Sequence, residues 1–336
     1  MRKPGKMRAA AVLALAMSLA MPAMAQDEAA AEGTGAEEAG GAAEATEPGK
    51  AGNADEAGTA GEGDKAEAAK PRQPFISESI ILVPERLGPW TLQETQGFVG
   101  QPELGYALKY EHDEHPMLVT TLYVYPAGRI DTDSALDWQI GEVRRAIEHV
   151  VANGSFENPR FRKTRHFDQP LPVDDPIREQ AKAVEEASVS MLNHGKRLRA
   201  SAPETIPGRM LSVRLERGGE RYESRGYVLY RSLYFYKGRL TAPGDAVKAR
   251  QMDRLGEELM RLALSRITVD STGSCGDSVI NLDPNAGGEE VAERLMAGVL
   301  GVSLRHEIER CRDKLDVTVP EGYQALHLEY RPEHWK

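Results

Sequence analysis

Two histidines in a short acidic stretch are the residues of this sequence best suited to bind a metal ion. His112 and His115 lie in Glu111–His115, which reads EHDEH. Imidazole nitrogens and carboxylate oxygens are ligands for zinc or copper. The spacing is not the His-Glu-x-x-His pattern of a zinc-binding helix, and the stretch stands where we expect a hairpin to turn. It therefore predicts either a metal site at His112 and His115 or a charged hairpin tip in water.

A second chemical candidate is the serine of Gly276-Asp277-Ser278, which resembles part of a serine-hydrolase signature. Val279 follows where chymotrypsin-like proteases have glycine, and GDSL esterases carry their motif at the start of the domain. The chain has no Gly-x-Ser-x-Gly motif and no Gly-x-Gly-x-x-Gly or Walker loop. Ser278 is thus a nucleophile without a recognisable triad or an ordinary loop residue. We expect no catalytic residue and no cofactor.

A basic cluster could instead bind a partner. Phe161 and Phe167 are interleaved with its members, which are Arg160, Arg162, Lys163 and Arg165. Such a cluster on an acidic protein could contact an anionic glycan, a lipid headgroup or an acidic protein. The alternative is a solvated edge strand whose charges discourage strand pairing.

Tyrosines on predicted strands form the last candidate surface. Nine of the eleven tyrosines lie between Tyr106 and Tyr236. An aromatic sheet face can hold a sugar ring or an apolar group, and it can equally be core under helices. The residues that we consider for such a surface are Tyr123, Tyr125, Tyr234 and Tyr236.

These candidates must be positioned by strands and helices whose patterns are clear. Met117–Pro126 is β-branched and aromatic and reads as a central strand. Two similar series of three strands and a helix are expected: Trp90–Phe98, Leu104–Glu111, Met117–Pro126 and a helix up to Val151; then Met210–Glu216, Arg221–Tyr230, Leu233–Leu240 and a helix in Asp245–Ile267. We therefore predict an α+β core domain over residues 73–270, with an antiparallel sheet and flanking helices. Two β-β-β-α units would build this domain, either as one joined sheet or as two lobes.

A C-terminal element over residues 271–336 contains both cysteines. Cys275 and Cys311 are an isolated pair, which in an exported chain usually becomes a disulfide. We expect helices over Glu289–Val302 and Arg305–Leu315 and a last strand over Tyr323–Tyr330. The disulfide would cross-link this element.

The N-terminal residues predict export. Residues 1–25 have a basic start, a short apolar run and Ala23-Met24-Ala25, which is typical of a signal peptide cleaved near Ala25. Residues 26–72 are rich in Ala, Glu and Gly, with twelve acidic and four basic residues, and we expect them to be disordered. The mature protein is expected to be periplasmic or secreted.

Charge and hydropathy exclude two classes of protein. The chain has a net charge of −10 and no basic excess, which argues against nucleic-acid binding. Its longest apolar run after the signal, Leu295–Val302, is too short to cross a membrane. We therefore expect no nucleic acid partner and no transmembrane segment in the mature chain.

The run from Leu87-Gly88-Pro89-Trp90 through Leu122-Tyr123-Val124-Tyr125 to the next helix resembles uncharacterised exported bacterial proteins with a strand meander that leads into a helix. The layout is similar to the α/β/α sandwich of the MOG1/PsbP-like group over about residues 80–270. That resemblance implies a fold used mainly for binding and assembly, and it brings no functional residues.

Together these features favour a non-catalytic binding or accessory protein of the bacterial cell envelope, whose partner is an envelope protein, a glycan or a lipid. One alternative is a metal-dependent or serine hydrolase that acts on envelope material. Another is a scaffold for protein–protein assembly that uses the acidic leader and the basic cluster.

Overall fold

The computed structural model describes residues 75–191, 203–277, 280 and 287–334. The predicted signal peptide and acidic segment, residues 1–72, lie outside them. The described helices are α1 (Thr132–Ala152), α2 (Pro176–Met191), α3 (Ala249–Arg266) and α4 (Gly288–Glu309). The described strands are β1 (Glu78–Pro84), β2 (Arg86–Leu87), β3 (Trp90–Gly97), β4 (Tyr106–His112), β5 (His115–Pro126), β6 (Glu157–Phe161), β7 (Arg165–His166), β8 (Gln169–Pro170), β9 (Thr205–Ile206), β10 (Gly208–Arg217), β11 (Glu220–Arg231), β12 (Tyr234–Pro243), β13 (Thr268–Thr272) and β14 (Tyr323–Glu329).

The predicted α+β class with an antiparallel sheet is confirmed. The main sheet has nine strands in the order β2-β3-β4-β5-β12-β11-β10-β6, with β7 also beside β10. Each predicted meander is present, and the two join through the antiparallel pairing of β5 with β12. In that pairing Tyr123 stands opposite Lys237 and Thr121 opposite Arg239. The two β-β-β-α units therefore form one joined sheet and not two lobes.

Helices α1 and α3 cover opposite faces of this sheet. The apolar side chains of α1 recur every three or four residues, as Leu136, Ile140, Val143 and Ile147, and they are buried against β10 and β11. Helix α3 lies on the other face against β11 and β12. Gly256 permits this close approach, because a Cβ there would collide with the Tyr227 hydroxyl.

A second sheet joins the two ends of the described chain. It has the order β13-β1-β14, with all pairs antiparallel. Buried hydroxyls connect this sheet to β12: Tyr234 Oη donates to Ser79 Oγ at 2.6 Å, and Ser79 Oγ lies 2.9 Å from Ser271 Oγ. The predicted domain boundary at residue 270 falls inside β13, which pairs with β1.

The C-terminal element contains the predicted disulfide between Cys275 and Cys311, with Cα atoms 6.1 Å apart. The prediction of two helices there is wrong, because α4 is continuous from Gly288 to Glu309. Arg310 takes a left-handed conformation and ends the helix. Hydrogen bonds of Arg310 and Arg312 to Ser271 hold the residues around Cys311 in extended structure beside β13. Among the described helices, none has the length and apolar character that a membrane crossing requires.

Candidate functional site

The two histidines of the metal hypothesis lie opposite each other where β4 turns into β5. His112 is buried, its ring packs edge-on against Trp90 with centroids 4.7 Å apart, and its Nδ1 accepts a hydrogen bond from the Glu114 amide at 3.1 Å. His115 Nε2 lies 2.9 Å from Gln251 Nε2 on α3. The His112 nitrogen therefore holds the hairpin turn itself, and the His115 nitrogen joins the hairpin to α3.

The described residues contain no group of three or more His, Cys, Asp or Glu side chains that could hold a metal ion. Burial lowers the pKa of His112, and the neighbouring His115 lowers it further. Burial thus favours the neutral form of His112. Ser278, the candidate nucleophile, lies outside the described residues.

The basic cluster lies at one end of the main sheet. Arg160 is on the outermost strand β6, and Arg165 is on the short strand β7. All four side chains are exposed. No ion pair forms between them and the acidic groups of the described residues. The cluster is a solvated edge, available to a partner and suited to discourage strand pairing.

The four tyrosines do not form one shared surface. Tyr123 and Tyr125 face α1, whereas Tyr234 and Tyr236 face α3 on the opposite side of the sheet. All four are buried, and Tyr125 donates a hydrogen bond to Gln139 of α1 at 2.8 Å. Because side chains alternate between faces along each strand, antiparallel pairing of two similar strands can place their tyrosines on either side.

A different cluster on the α1 face has the features of a binding site. Beside the area that α1 covers, the sheet face changes from apolar to polar, with Lys237 and Arg239 on β12 and Thr121 on β5. Cross-strand partners share a face, so Tyr123 and Lys109 belong to the same surface. We call this surface the basic sheet face; its residues are Lys109, Thr121, Tyr123, Lys237 and Arg239.

Arg239 is the residue of this surface with unused hydrogen-bonding capacity. Its Nε and Nη2 atoms are buried and have no hydrogen-bond partner in the structure. No carboxylate of the described residues forms an ion pair with it. Burial lowers the pKa of Arg239 and is only partly opposed by Tyr123. Since a buried unsatisfied charge is costly, an unpaired guanidinium here calls for a functional explanation.

Lys237 adds a second positive charge two residues away on the same strand. Its Nζ lies 5.1 Å from the centre of the Tyr123 ring, a cation–π distance. The pKa of Lys237 is lowered to about 8, chiefly by burial and also by Arg239, and Glu142 of α1 partly opposes both effects. The two cations therefore repel each other in a partly buried setting, with only weak compensation from the protein.

The other charges around this surface are already paired. Lys109 Nζ lies 2.6 Å from Glu94 Oε2, and Arg145 forms an ion pair with Glu142 on α1. The surface thus keeps the charges of Lys237 and Arg239 in excess. An ammonium group and one free edge of a guanidinium are donors that suit an oxyanion.

One feature of the sequence pointed to this site, although it did not show which residues surround it. We expected a strand over Leu233–Leu240, and Lys237 and Arg239 interrupt one of its faces with two cations. Their position within a central strand follows from β12, which continues to Pro243. Which strands lie beside them depends on the pairing of the two units.

Comparison with known proteins adds no functional assignment, since no protein-family model matches this chain and a search of curated proteins found no match.

Proposed function

We propose that this protein is a non-catalytic binding or accessory protein of the bacterial cell envelope, and that it holds an anionic group of its ligand on the basic sheet face. The observation that carries the proposal is the buried, unpaired edge of the Arg239 guanidinium beside Lys237. A ligand oxyanion would supply the hydrogen-bond acceptors that the protein's own residues do not.

Export is part of this proposal. It is supported by the signal-like residues 1–25 and by the Cys275–Cys311 disulfide, since disulfides persist in oxidising compartments. The proposal also includes the resemblance to the MOG1/PsbP-like layout. Helices on both faces of one antiparallel sheet are in keeping with that layout.

A scaffold for protein–protein assembly is the second candidate. The observation in its favour is the exposure of the basic cluster at the sheet edge, without ion pairs to described acidic groups. Changing Arg160, Arg162 and Arg165 to Glu should then weaken crosslinking to an acidic partner. Unchanged crosslinking in that triple variant would contradict the scaffold.

The binding proposal is tested by thermal melting of the chain from Gln26 to Lys336 against inorganic phosphate, succinate, peptidoglycan fragments and vesicles of anionic lipid. A ligand that binds only the native state raises the melting temperature. We expect at least one anion to do so in the wild type and not in Arg239→Gln.

Arg254→Gln is the matched control. Arg254 is exposed on α3, which covers the other face of the sheet, and the chemical change is the same. The control should keep the full shift. Equal shifts in both variants, or no shift with any anion, would overturn the proposed site.

A further inference from the structure

The charge balance at the basic sheet face points to the charge of the ligand group. The ion pairs Lys109–Glu94 and Glu142–Arg145 neutralise the neighbouring charges. Lys237 and Arg239 then carry two positive charges with no ion-pair partner among the described residues. Within the described part of the chain, Glu142 is the carboxylate that acts on Lys237, and it is already paired with Arg145. A group with two negative charges would balance this surface, whereas a single carboxylate would leave one cation uncompensated.

The geometry of the free donors points to the same kind of group. Nε–H and one Nη2–H of a guanidinium lie along one edge and donate two parallel hydrogen bonds, and these are the two unpartnered nitrogens of Arg239. Residues two apart on a strand are about 7 Å apart and point to the same side. These two nitrogens are covered by other protein atoms, so binding requires the Arg239 side chain to turn outward. Both side chains are long, and a tetrahedral group held at that edge could then present a further oxygen to the Lys237 ammonium.

Two hydroxyl groups stand next to these cations. Tyr123 is the cross-strand partner of Lys237, and Thr121 is the partner of Arg239. Hydroxyls of this kind can donate to remaining oxygens of a phosphate. Arg239 acts electrostatically on the Tyr123 phenol, which places the two groups in one neighbourhood.

We propose that the basic sheet face binds a dianionic phosphate, as inorganic phosphate or a phosphomonoester, through the Nε/Nη2 edge of Arg239 and the ammonium of Lys237. This inference rests on the proposed function, because it names the ligand group of the same site. No bond is made or broken. The phosphate remains intact, and binding exchanges its hydration for protein donors.

The test is calorimetric titration at pH 7.5 and constant ionic strength with four probes: inorganic phosphate, glycerol 3-phosphate, dimethyl phosphate and acetate. We expect the two dianions to bind at least ten-fold tighter than the monoanionic diester and acetate. Arg239→Gln and Lys237→Met should each reduce phosphate affinity at least ten-fold, and Arg254→Gln should leave it unchanged.

The outcomes separate the two proposals. If acetate or dimethyl phosphate binds as tightly as glycerol 3-phosphate, the phosphate assignment is overturned while anion binding stands. If no probe binds and the melting panel is also flat, both proposals are overturned. Because the ranking of probes is measured on the wild type, the test does not depend on the folding of any variant.

A second arm distinguishes a free phosphate from a lipid headgroup. Vesicles of phosphatidylcholine with and without phosphatidic acid are sedimented with the wild type and with Arg239→Gln. Cosedimentation with phosphatidic acid that is lost in Arg239→Gln supports a lipid source. Binding of glycerol 3-phosphate without cosedimentation supports a soluble one. Equal cosedimentation of both proteins would show that vesicle binding does not use this site.

Discussion

At the scale of single residues, the chain keeps two cations where its own groups do not neutralise them. Lys237 is partly buried beside Arg239 and the Tyr123 ring, and its pKa is lowered to about 8. An unfolded lysine titrates near 10.4, so the unfolded state binds more protons than the native state between about pH 8 and 10.4. Stability should therefore rise with pH over that window, and at pH 7 the charged side chain should cost stability.

We predict that Lys237→Met stabilises the protein while it impairs anion binding. Methionine keeps most of the length of the side chain and removes the buried charge, so the free energy of unfolding at pH 7 should rise by about 1–3 kcal/mol. The rise of stability between about pH 8 and 10.4 should also diminish. Urea unfolding at pH 7, 8, 9 and 10 measures both effects. A variant less stable than the wild type at pH 7, with the same pH slope, would contradict this account.

At the scale of elements, the β4–β5 hairpin is attached to its surroundings through the packing and hydrogen bonds of two histidines. His112 packs on Trp90 and accepts the Glu114 amide, and His115 contacts Gln251 of α3. Burial and His115 lower the pKa of His112 below its ordinary value. The native state thus binds fewer protons than the unfolded state below about pH 6.5, and stability is lost as pH falls from there toward the lowered pKa.

We predict that His112→Gln reduces the acid sensitivity of the fold. The variant should be less stable at pH 7, by about 1–2 kcal/mol, because packing and a hydrogen bond are lost. It should lose less stability than the wild type between pH 7 and pH 5. Denaturant unfolding at three pH values checks this. His149→Gln, on an exposed position of α1, should behave like the wild type. Parallel pH profiles for all three proteins would refute the role of His112.

At the scale of the whole molecule, the C-terminal residues close the fold through a sheet that is separate from the strands of the basic sheet face. β13 and β14 flank β1, and the disulfide links the loop after β13 to the residues after α4. The cysteines are 36 residues apart in sequence. A cross-link over that length is worth about 3–4 kcal/mol in the chain-entropy model. The basic sheet face lies on β4, β5 and β12 of the main sheet, outside that loop.

We predict that replacing both cysteines lowers the stability of the protein and leaves its affinity for phosphate unchanged. The double variant Cys275→Ser/Cys311→Ser should lose about 2–4 kcal/mol of unfolding free energy and melt at a lower temperature. Its affinity for phosphate at 25 °C should stay within two-fold of the wild type. Melting and titration of the same preparation test both statements. A large loss of affinity in a protein that remains folded would show that the C-terminal element contributes to the site.

Much of the local structure could be derived from the sequence because it depends on short-range patterns. Met117–Pro126 alternates two largely apolar faces, and the corresponding strand is His115–Pro126. The apolar spacing in α1 and the pairing of the only two cysteines also needed no long-range information. The continuous helix α4 was the exception. The chain after its end is held by Ser271, about 40 residues away in sequence, whose amide donates to the Arg310 carbonyl and whose carbonyl accepts from the Arg312 amide.

The basic sheet face could be recognised only in the tertiary structure, because it depends on which strands become neighbours. Alternation along β12 already separates Lys237 and Arg239 from Tyr234 and Tyr236, but it does not say which group meets Tyr123. The register of β5 with β12 places Tyr123 beside Lys237 and Thr121 beside Arg239. The packing of α1 over β10 and β11 leaves these cations at the border of the covered area. Local sequence patterns account for the elements and for the two faces of each. Long-range pairing and helix packing decided which charges stay without a partner, because burial and ion pairing are properties of assembled neighbours.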